Sequence, residues 1–91
     1  MLMIKITRTK RFKREYKKLN EEDRHAIDKT LVKFFQGSKS ASLRIKKMLG
    51  KKGVYEMSAN MDIRITFSYE KEPVGIILRN CGHHDQTLKN P

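Results

Sequence analysis

The sequence MDIRITFSY at residues 61–69 alternates apolar and polar side chains without a break. Because successive side chains of a β-strand point to opposite faces of a sheet, this alternation predicts a strand with one buried and one polar face. Residues 54–58 before it and 74–80 after it also have strand composition, and a turn is predicted at 70–73. The three segments predict an antiparallel β-meander whose last strand is interior.

The first half of the chain predicts one strand and two helices. Residues 1–7 alternate apolar and polar side chains, which indicates a half-buried first strand. Residues 10–19 place Phe12, Tyr16 and Leu19 at the spacing of one helical stripe, and basic residues occupy most other positions.

A second helix is predicted to begin after Asn20. Asparagine is a favoured N-cap, Asp23 puts an acid in the first turn, and Gly37 is a typical helix end. A polar connector at 37–41 leads to the meander. The two helices form a hairpin whose apolar edge must pack on the sheet. The chain is therefore predicted to be a single α+β domain over residues 1–91, with one sheet and both helices on one of its faces.

The net charge restricts the partners of this domain. Twenty-one lysine and arginine residues against ten acidic residues give a formal net charge of +11. Such a field attracts polyanions, and nucleic acid, an anionic membrane surface or an acidic protein would each satisfy it. A chain this short buries only about 60 to 65% of its unfolded surface, so no deep pocket for a large cofactor is expected.

The single cysteine, Cys81, excludes an intramolecular disulfide and is typical of a reducing cytosol. The apolar run at the start is too short for a signal peptide, and no stretch approaches the roughly 18 apolar residues of a membrane span. We therefore expect a cytoplasmic protein without a membrane partner.

Predicted strand pairing gathers charged residues on one face of the meander. If the first loop spans residues 59–61, Glu56 lies opposite Arg64. Tight pairing across the turn at 70–73 then brings Arg79 beside Arg64. Two further segments complete this patch, the loop RIKKMLGKK at 44–52 and the tetrapeptide Gly82-His83-His84-Asp85 after the last strand.

This patch contains the groups that RNA cleavage needs. Attack by a 2′-hydroxyl on its own phosphodiester requires a base for its proton, an acid for the leaving 5′ oxygen, and cations for the phosphorane charge. The candidates for these catalytic roles are His84, Arg64, Lys47, Glu56 and His83. Further RNA contacts are predicted for basic residues of the loop, the last strand and the first helix: Arg44, Lys46, Lys51, Lys52, Arg79, Lys13 and Lys17.

Each candidate also has a simpler interpretation. Adjacent histidines such as His83 and His84 are often solvated polar residues, and with Asp85 they suggest a metal site that lacks a spaced fourth ligand. Arg64 could simply pair with Glu56 across the strands, which contributes about 0.2 to 1 kcal/mol. Positive charge gathered on one sheet face favours anion binding, since its mutual repulsion costs stability unless an anion is expected.

The order of elements and several strings resemble the RelE/ParE toxin superfamily of bacterial toxin–antitoxin systems, and most closely its RelE- and YafQ-like members. The strings are TRTKRFKREYKKL, KKMLGKKGVYEMS, MDIRITFSYE and ILRNCGHHDQTL, which together span most of the chain. The resemblance implies a ribosome-dependent endoribonuclease that cuts mRNA in the decoding site without a metal or other cofactor and so inhibits translation. Its implied partners are the ribosome, mRNA and an acidic antitoxin that neutralises it.

The resemblance also implies roles for individual positions. His84 falls where YafQ-like toxins have a histidine that acts as general acid, and Arg64 falls on the strand arginine that contacts phosphate. Lys46 or Lys47 lies in a loop that supplies basic or histidine residues. Acidic positions near the site are occupied by Glu56 and Asp62.

The chain departs from the family pattern in three places. Leu88 stands where some relatives carry an aromatic residue that stacks on a base. The loop at 44–52 has no histidine, although YafQ-like enzymes carry one there, so the general base is open among Glu56, Lys47 and His83. The chain also ends soon after the last strand and is expected to lack the C-terminal helix of some members.

Two other functions are consistent with the same sequence. A ParE-like protein of this fold would inhibit DNA gyrase and cleave nothing, since function depends on sites and not on folds. His84 distinguishes the two functions, because an inhibitor has no chemical need for it. The third interpretation is a catalytically weak RNA-binding module, which Leu88 and the missing histidines favour.

Overall fold

The computed structural model describes residues 5–37, 43–71 and 74–91 of the chain. In these ranges it has five strands and three helices, in the order β1 (Lys5–Arg8), α1 (Lys10–Lys18), α2 (Glu21–Phe35), β2 (Lys46–Lys47), β3 (Tyr55–Ser58), β4 (Ile63–Lys71), β5 (Val74–His83) and α3 (His84–Lys89). The predicted α+β class is confirmed. Residues 1–4 of the first predicted strand, most of the connector at 37–41 and part of the turn at 70–73 lie outside the described residues.

The strands form one mixed sheet in the order β1-β5-β4-β3-β2. β3, β4 and β5 are antiparallel neighbours, which confirms the predicted meander. β1 runs parallel to β5, so β5 is an interior strand as predicted. β2 has only two residues and is a strand because it pairs with β3 at the sheet edge, a contact that no local sequence pattern indicates.

Side-chain caps begin both helices of the hairpin. The Thr9 hydroxyl accepts the Phe12 amide at 3.1 Å, which satisfies a free donor of the first turn of α1. The Asn20 side chain accepts the Asp23 amide at 2.8 Å and does the same for α2. Gly37 follows α2 with a φ of 76°, a left-handed conformation that glycine adopts without a Cβ penalty. The predicted helical hairpin is therefore confirmed.

The core lies between the two helices and one face of the sheet. Ile63, Ile65 and Phe67 of β4 are fully buried, as their alternation predicts. Phe34 of α2 packs on Phe67, with 5.1 Å between the ring centroids. The helices also contribute the buried side chains of Phe12, Leu19 and Ile27. Burial of each such side chain contributes about 1.5 to 3 kcal/mol, which holds the helices on this face of the sheet.

The first meander hairpin has a wider loop than predicted. Glu56 lies opposite Thr66 and not opposite Arg64, a shift of two residues. The Asn60 side chain accepts two backbone amides of the loop at 2.9 and 2.8 Å, and this local turn competes with tighter strand pairing. The predicted pairing of Glu56 with Arg64 is therefore wrong.

The second meander hairpin is longer than predicted and contains a bulge. β4 continues through Lys71 into the predicted turn, so that Lys71 lies opposite Val74. Farther along, a shift in register leaves Arg79 as the extra residue of a β-bulge. Arg64 consequently lies opposite Gly82, and its predicted pairing with Arg79 is wrong.

A short helix follows β5, so the expectation that the chain lacks a C-terminal helix is wrong. β5 extends through His83, three residues past its predicted end, and α3 begins at once. α3 packs against β4 and β5 and buries Thr87. Its start has no side-chain cap, so the usual sign of a helix start is missing from the sequence.

Candidate functional site

Polar and charged side chains form two cross-strand rows on the sheet face opposite the core. The first row runs across four strands and consists of Lys46, Glu56, Thr66 and Asn80. The second row consists of Ser58, Arg64 and Gly82. Three members of the first row, Glu56, Thr66 and Asn80, are buried. This face is therefore less open than the sequence predicts.

Lys46 and Glu56 form an ion pair on this face, with Nζ and Oε1 3.9 Å apart. The Lys46 side chain is exposed, whereas that of Glu56 is only 9% exposed. Lys47 pairs with Tyr55, and strand alternation places it on the core-side face at the sheet edge. Lys46 is therefore the loop lysine that shares a face with Arg64, and the catalytic role of Lys47 stays a prediction.

Arg64 is anchored to the loop before β4. Its Nη1 donates to the Asn60 carbonyl at 2.8 Å. The same nitrogen lies 3.2 Å from the carbonyl oxygens of Met61 and Ile63. An arginine has five N–H donors in a planar fork, so a guanidinium held at one nitrogen still presents donors to an anion. Arg64 pairs with Gly82 of β5, so its charge lies beside the end of β5, directly before His83 and His84.

Arg79 lies at the bulge and belongs to neither cross-strand row. Its carbonyl accepts the Thr9 hydroxyl at 2.9 Å. Its Nε is buried and has no hydrogen-bond partner in the part of the chain that the structure describes. A buried unpaired donor costs about 1 to 3 kcal/mol. The RNA contact predicted for Arg79 stays a prediction.

His83 and His84 each have a carboxylate partner for Nδ1. His83 Nδ1 forms a hydrogen bond with the Asp62 carboxylate. His84 Nδ1 lies 3.0 Å from Asp85 Oδ1. The hydrogen bond with His83 is the main cause that lowers the pKa of Asp62 from its ordinary value, so Asp62 is ionised at neutral pH. Both rings are exposed, and Nε2 is the nitrogen that each can offer to a substrate.

A cleft of about 360 Å³ opens between α1, α3 and the end of β5. Its α1 wall carries three cations and one carboxylate: Arg11, Arg14, Lys18 and Glu15. His83 lines the same cleft. Arg11, Arg14 and Lys18 have the i, i+3 and i+7 spacing of one helix face, and this spacing could have identified them from the sequence. The RNA contacts predicted for this helix were Lys13 and Lys17 instead.

Lys13 and Lys17 are exposed on another side of α1. They line a separate groove of about 350 Å³ between α1 and α2. In this groove the Tyr16 hydroxyl donates to Asp28 Oδ1 at 2.8 Å. The other predicted RNA contacts of the loop, Arg44, Lys51 and Lys52, are exposed as well. Their contacts with RNA stay predictions.

Cys81 is not available as a nucleophile. It is 1% exposed, and burial raises the pKa of its thiol to about 12. Reactive cysteines need an accessible thiolate. Within residues 5–37, 43–71 and 74–91, no three His, Cys, Asp or Glu side chains come together as a metal site. In the same ranges, no helix is long and apolar enough to cross a membrane.

Comparison with known proteins identifies the fold. No family model and no curated protein sequence matches the chain. Among solved structures, a YafQ mutant from E. coli has a TM-score of 0.77 at 10% identity, covering 92% of this chain and 97% of that chain. A copper-bound mutant toxin from Helicobacter pylori has a TM-score of 0.76 at 19% identity, covering 92% and 98%. The E. coli RelBE toxin–antitoxin complex has a TM-score of 0.70 at 18% identity, covering 91% and 99%. The chain therefore has the fold of the RelE/ParE toxins, as its sequence resemblance implies.

Proposed function

We propose that the chain is the toxin of a type II toxin–antitoxin system and a ribosome-dependent, metal-independent mRNA endoribonuclease that inhibits translation. The observation that carries this proposal is the pairing of Arg64 with Gly82, directly before His83 and His84. This pairing brings a guanidinium and two imidazoles to one end of the sheet. Phosphodiester cleavage through a 2′-hydroxyl needs these groups together.

The proposed roles follow from the positions of these side chains. Arg64 binds the scissile phosphate, and His84 donates a proton to the 5′ oxygen that leaves. Lys46 lies on the same sheet face and adds positive charge that concentrates RNA at the surface. Leu88 supplies no aromatic ring for base stacking, so RNA binding depends mainly on charge.

An acidic antitoxin is the protein partner that fits a chain with a net charge of +11. The E. coli DinJ–YafQ and RelBE complexes, each of a toxin with an antitoxin, have the same fold in their toxin chains and support such a partner. We expect the ribosome and its mRNA to be the targets of the free toxin in the cytoplasm.

The test is controlled expression of the chain in bacteria, followed by primer extension on a translated mRNA. We expect growth arrest and cuts inside codons. His84→Ala and Arg64→Ala should each lower the cleavage rate on ribosomes by on the order of 100-fold. His25→Ala is the matched control, since His25 is an exposed histidine of α2 that does not line the cleft and belongs to neither cross-strand row. Full activity of His84→Ala and Arg64→Ala would contradict the mechanism, and a DNA-damage response without cut mRNA would indicate a gyrase inhibitor.

A further inference from the structure

The base that takes the proton of the 2′-hydroxyl can be chosen from the geometry of three residues. Glu56 is 7% exposed, and its carboxylate faces Lys46. Lys47 is exposed, but it lies on β2, which β3 and β4 separate from β5. His83 is the one of the three that is both exposed and adjacent to His84. It is therefore the base that an RNA strand can reach together with His84.

A hydrogen bond with Asp62 orients the His83 ring. The bond occupies Nδ1, so Nε2 is the nitrogen that can accept a proton from a substrate. The His83 side chain is 55% exposed and lines the cleft between α1 and α3. An RNA backbone lying in this cleft would pass the free side of the ring.

Asp62 is itself held by the loop before β4. Its amide donates to Asn60 Oδ1 at 2.9 Å, and its carbonyl accepts the His84 amide at 2.8 Å. Arg64 donates to the Asn60 carbonyl at 2.8 Å and steadies the same loop. A carboxylate held in this way fixes the tautomer of its histidine and stabilises the imidazolium that forms when the ring accepts a proton.

We propose that His83 is the general base of the ribonuclease and that Asp62 is its positioning residue. This inference rests on the proposed function and names the group that the sequence left open. Together with His84 it gives the site one histidine for each of its two proton transfers.

Cations on the facing wall of the cleft complete the site. Arg14 Nε and Lys18 Nζ lie 3.2 and 3.1 Å from the same Glu15 oxygen. Arg11 donates to the Asn90 carbonyl at 3.2 Å. One carboxylate against three cations leaves the wall positive, and a positive wall attracts the RNA backbone on either side of the cut phosphate.

The proposed reaction forms one P–O bond, breaks another, and moves one proton at each of the two histidines. Nε2 of His83 takes the proton of the 2′-hydroxyl while the 2′ oxygen forms a bond to phosphorus. The bond between phosphorus and the 5′ oxygen breaks, and protonated His84 gives its proton to that oxygen. The products are a 2′,3′-cyclic phosphate and a 5′-hydroxyl, and no other reactant is consumed.

The first measurement is single-turnover cleavage of a short mRNA on programmed ribosomes by the full chain. His83→Ala should lower the cleavage rate by on the order of 100-fold, the usual contribution of a general base. Asp62→Asn should lower it by roughly 10-fold or more, because a positioning carboxylate acts through the histidine. Asp62→Glu should recover part of that loss, and His25→Ala should match the wild type.

A modified substrate separates the base from the acid. When sulfur replaces the bridging 5′ oxygen of the cut bond, the leaving thiolate needs no proton, so loss of the general acid no longer matters. We expect this substrate to restore cleavage by His84→Ala and to leave His83→Ala and Asp62→Asn slow. Restored cleavage by His83→Ala would make His83 the acid and would overturn the inference.

Other outcomes distinguish this inference from the proposed function. A wild-type chain that cuts mRNA together with an equally active His83→Ala would overturn the inference alone. A wild-type chain that leaves ribosome-bound mRNA intact would overturn both. Unfolding by urea provides the folding control, since substitution of an exposed side chain should change stability by no more than about 0.5 kcal/mol.

Discussion

Gly82, next to the last residue of β5, has a backbone conformation that other residues rarely adopt. Its φ is +148°, and a Cβ at this position would lie 2.9 Å from Thr87 Oγ1. Thr87 is buried, so α3 would have to shift to admit a methyl group. The two histidines between these residues would shift with it.

Gly82→Ala should therefore affect both stability and catalysis. We expect a loss of about 1 to 3 kcal/mol in the free energy of unfolding, from backbone strain and the contact with Thr87. Urea unfolding measures that loss. The cleavage rate on ribosomes, measured where the variant is fully folded, should also fall, because the change displaces His83 and His84.

Gly37→Ala is the matched control for this prediction. Gly37 also has a positive φ, of 76°, but no atom lies within 4 Å of its would-be Cβ. Its substitution should cost only the left-handed backbone penalty of about 1 to 2 kcal/mol and leave the cleavage rate unchanged. An unchanged cleavage rate for Gly82→Ala would mean that the α3 contact does not position the histidines.

At the scale of the elements, the Thr9 side chain links the start of α1 to β5. The Thr9 hydroxyl accepts the Phe12 amide at 3.1 Å and caps the helix. The same hydroxyl lies within donating distance of the Leu78 carbonyl at 3.1 Å and the Arg79 carbonyl at 2.9 Å. Because Arg79 is the bulged residue, this contact joins the helix to the irregular part of the strand.

Thr9→Val keeps the shape of the side chain and removes these hydrogen bonds. We expect a loss of about 1 to 2 kcal/mol in the free energy of unfolding, since the helix loses its cap and a strand carbonyl loses its donor. Asn20→Ala is the comparison variant, because it removes only a helix cap and should cost about 1 kcal/mol. Urea denaturation measures the free energy of unfolding of both variants. A loss no larger than that of Asn20→Ala would show that the contact with β5 contributes nothing.

At the scale of the whole molecule, a net charge of +11 governs encounters with RNA. Each phosphate that a protein neutralises on a single strand contributes about 0.7 to the slope of log affinity against log salt. With about five phosphates contacted, affinity for a uridine oligonucleotide should fall roughly 100-fold between 50 and 200 mM salt. Fluorescence anisotropy measures this dependence without ribosomes, and an affinity that does not change with salt would contradict it.

The cleft wall should account for part of that slope. The double variant Arg11→Gln, Lys18→Gln should reduce the slope by about 1.4, the share of two phosphates. Lys29→Gln, Lys33→Gln removes the same charge from exposed positions of α2 and is the matched control. Equal slopes for the two variants would place the RNA elsewhere.

The boundaries and types of most elements could be predicted because they depend on neighbours in sequence. Strict alternation at 61–69 is sufficient to predict β4. Asn20 starts α2 with its side-chain cap, and Gly37 ends it with its left-handed backbone. The register of the meander could not be predicted in this way. It depends on the turn that the Asn60 side chain holds within the loop and on the bulge at Arg79, which exists only once β4 and β5 have paired.

The candidate site likewise has some features that could be predicted from the sequence and others that depend on tertiary contacts. The sequence by itself determined the charge, the neighbouring histidines and the strand arginine, since these are matters of composition and order. Only the tertiary structure decided that Lys46 and not Lys47 shares the face of Arg64, that Glu56 is buried, and that Asp62 meets His83. The physical reason is that these contacts join side chains distant in sequence, so they exist only once the strands have paired and α3 has packed on the sheet.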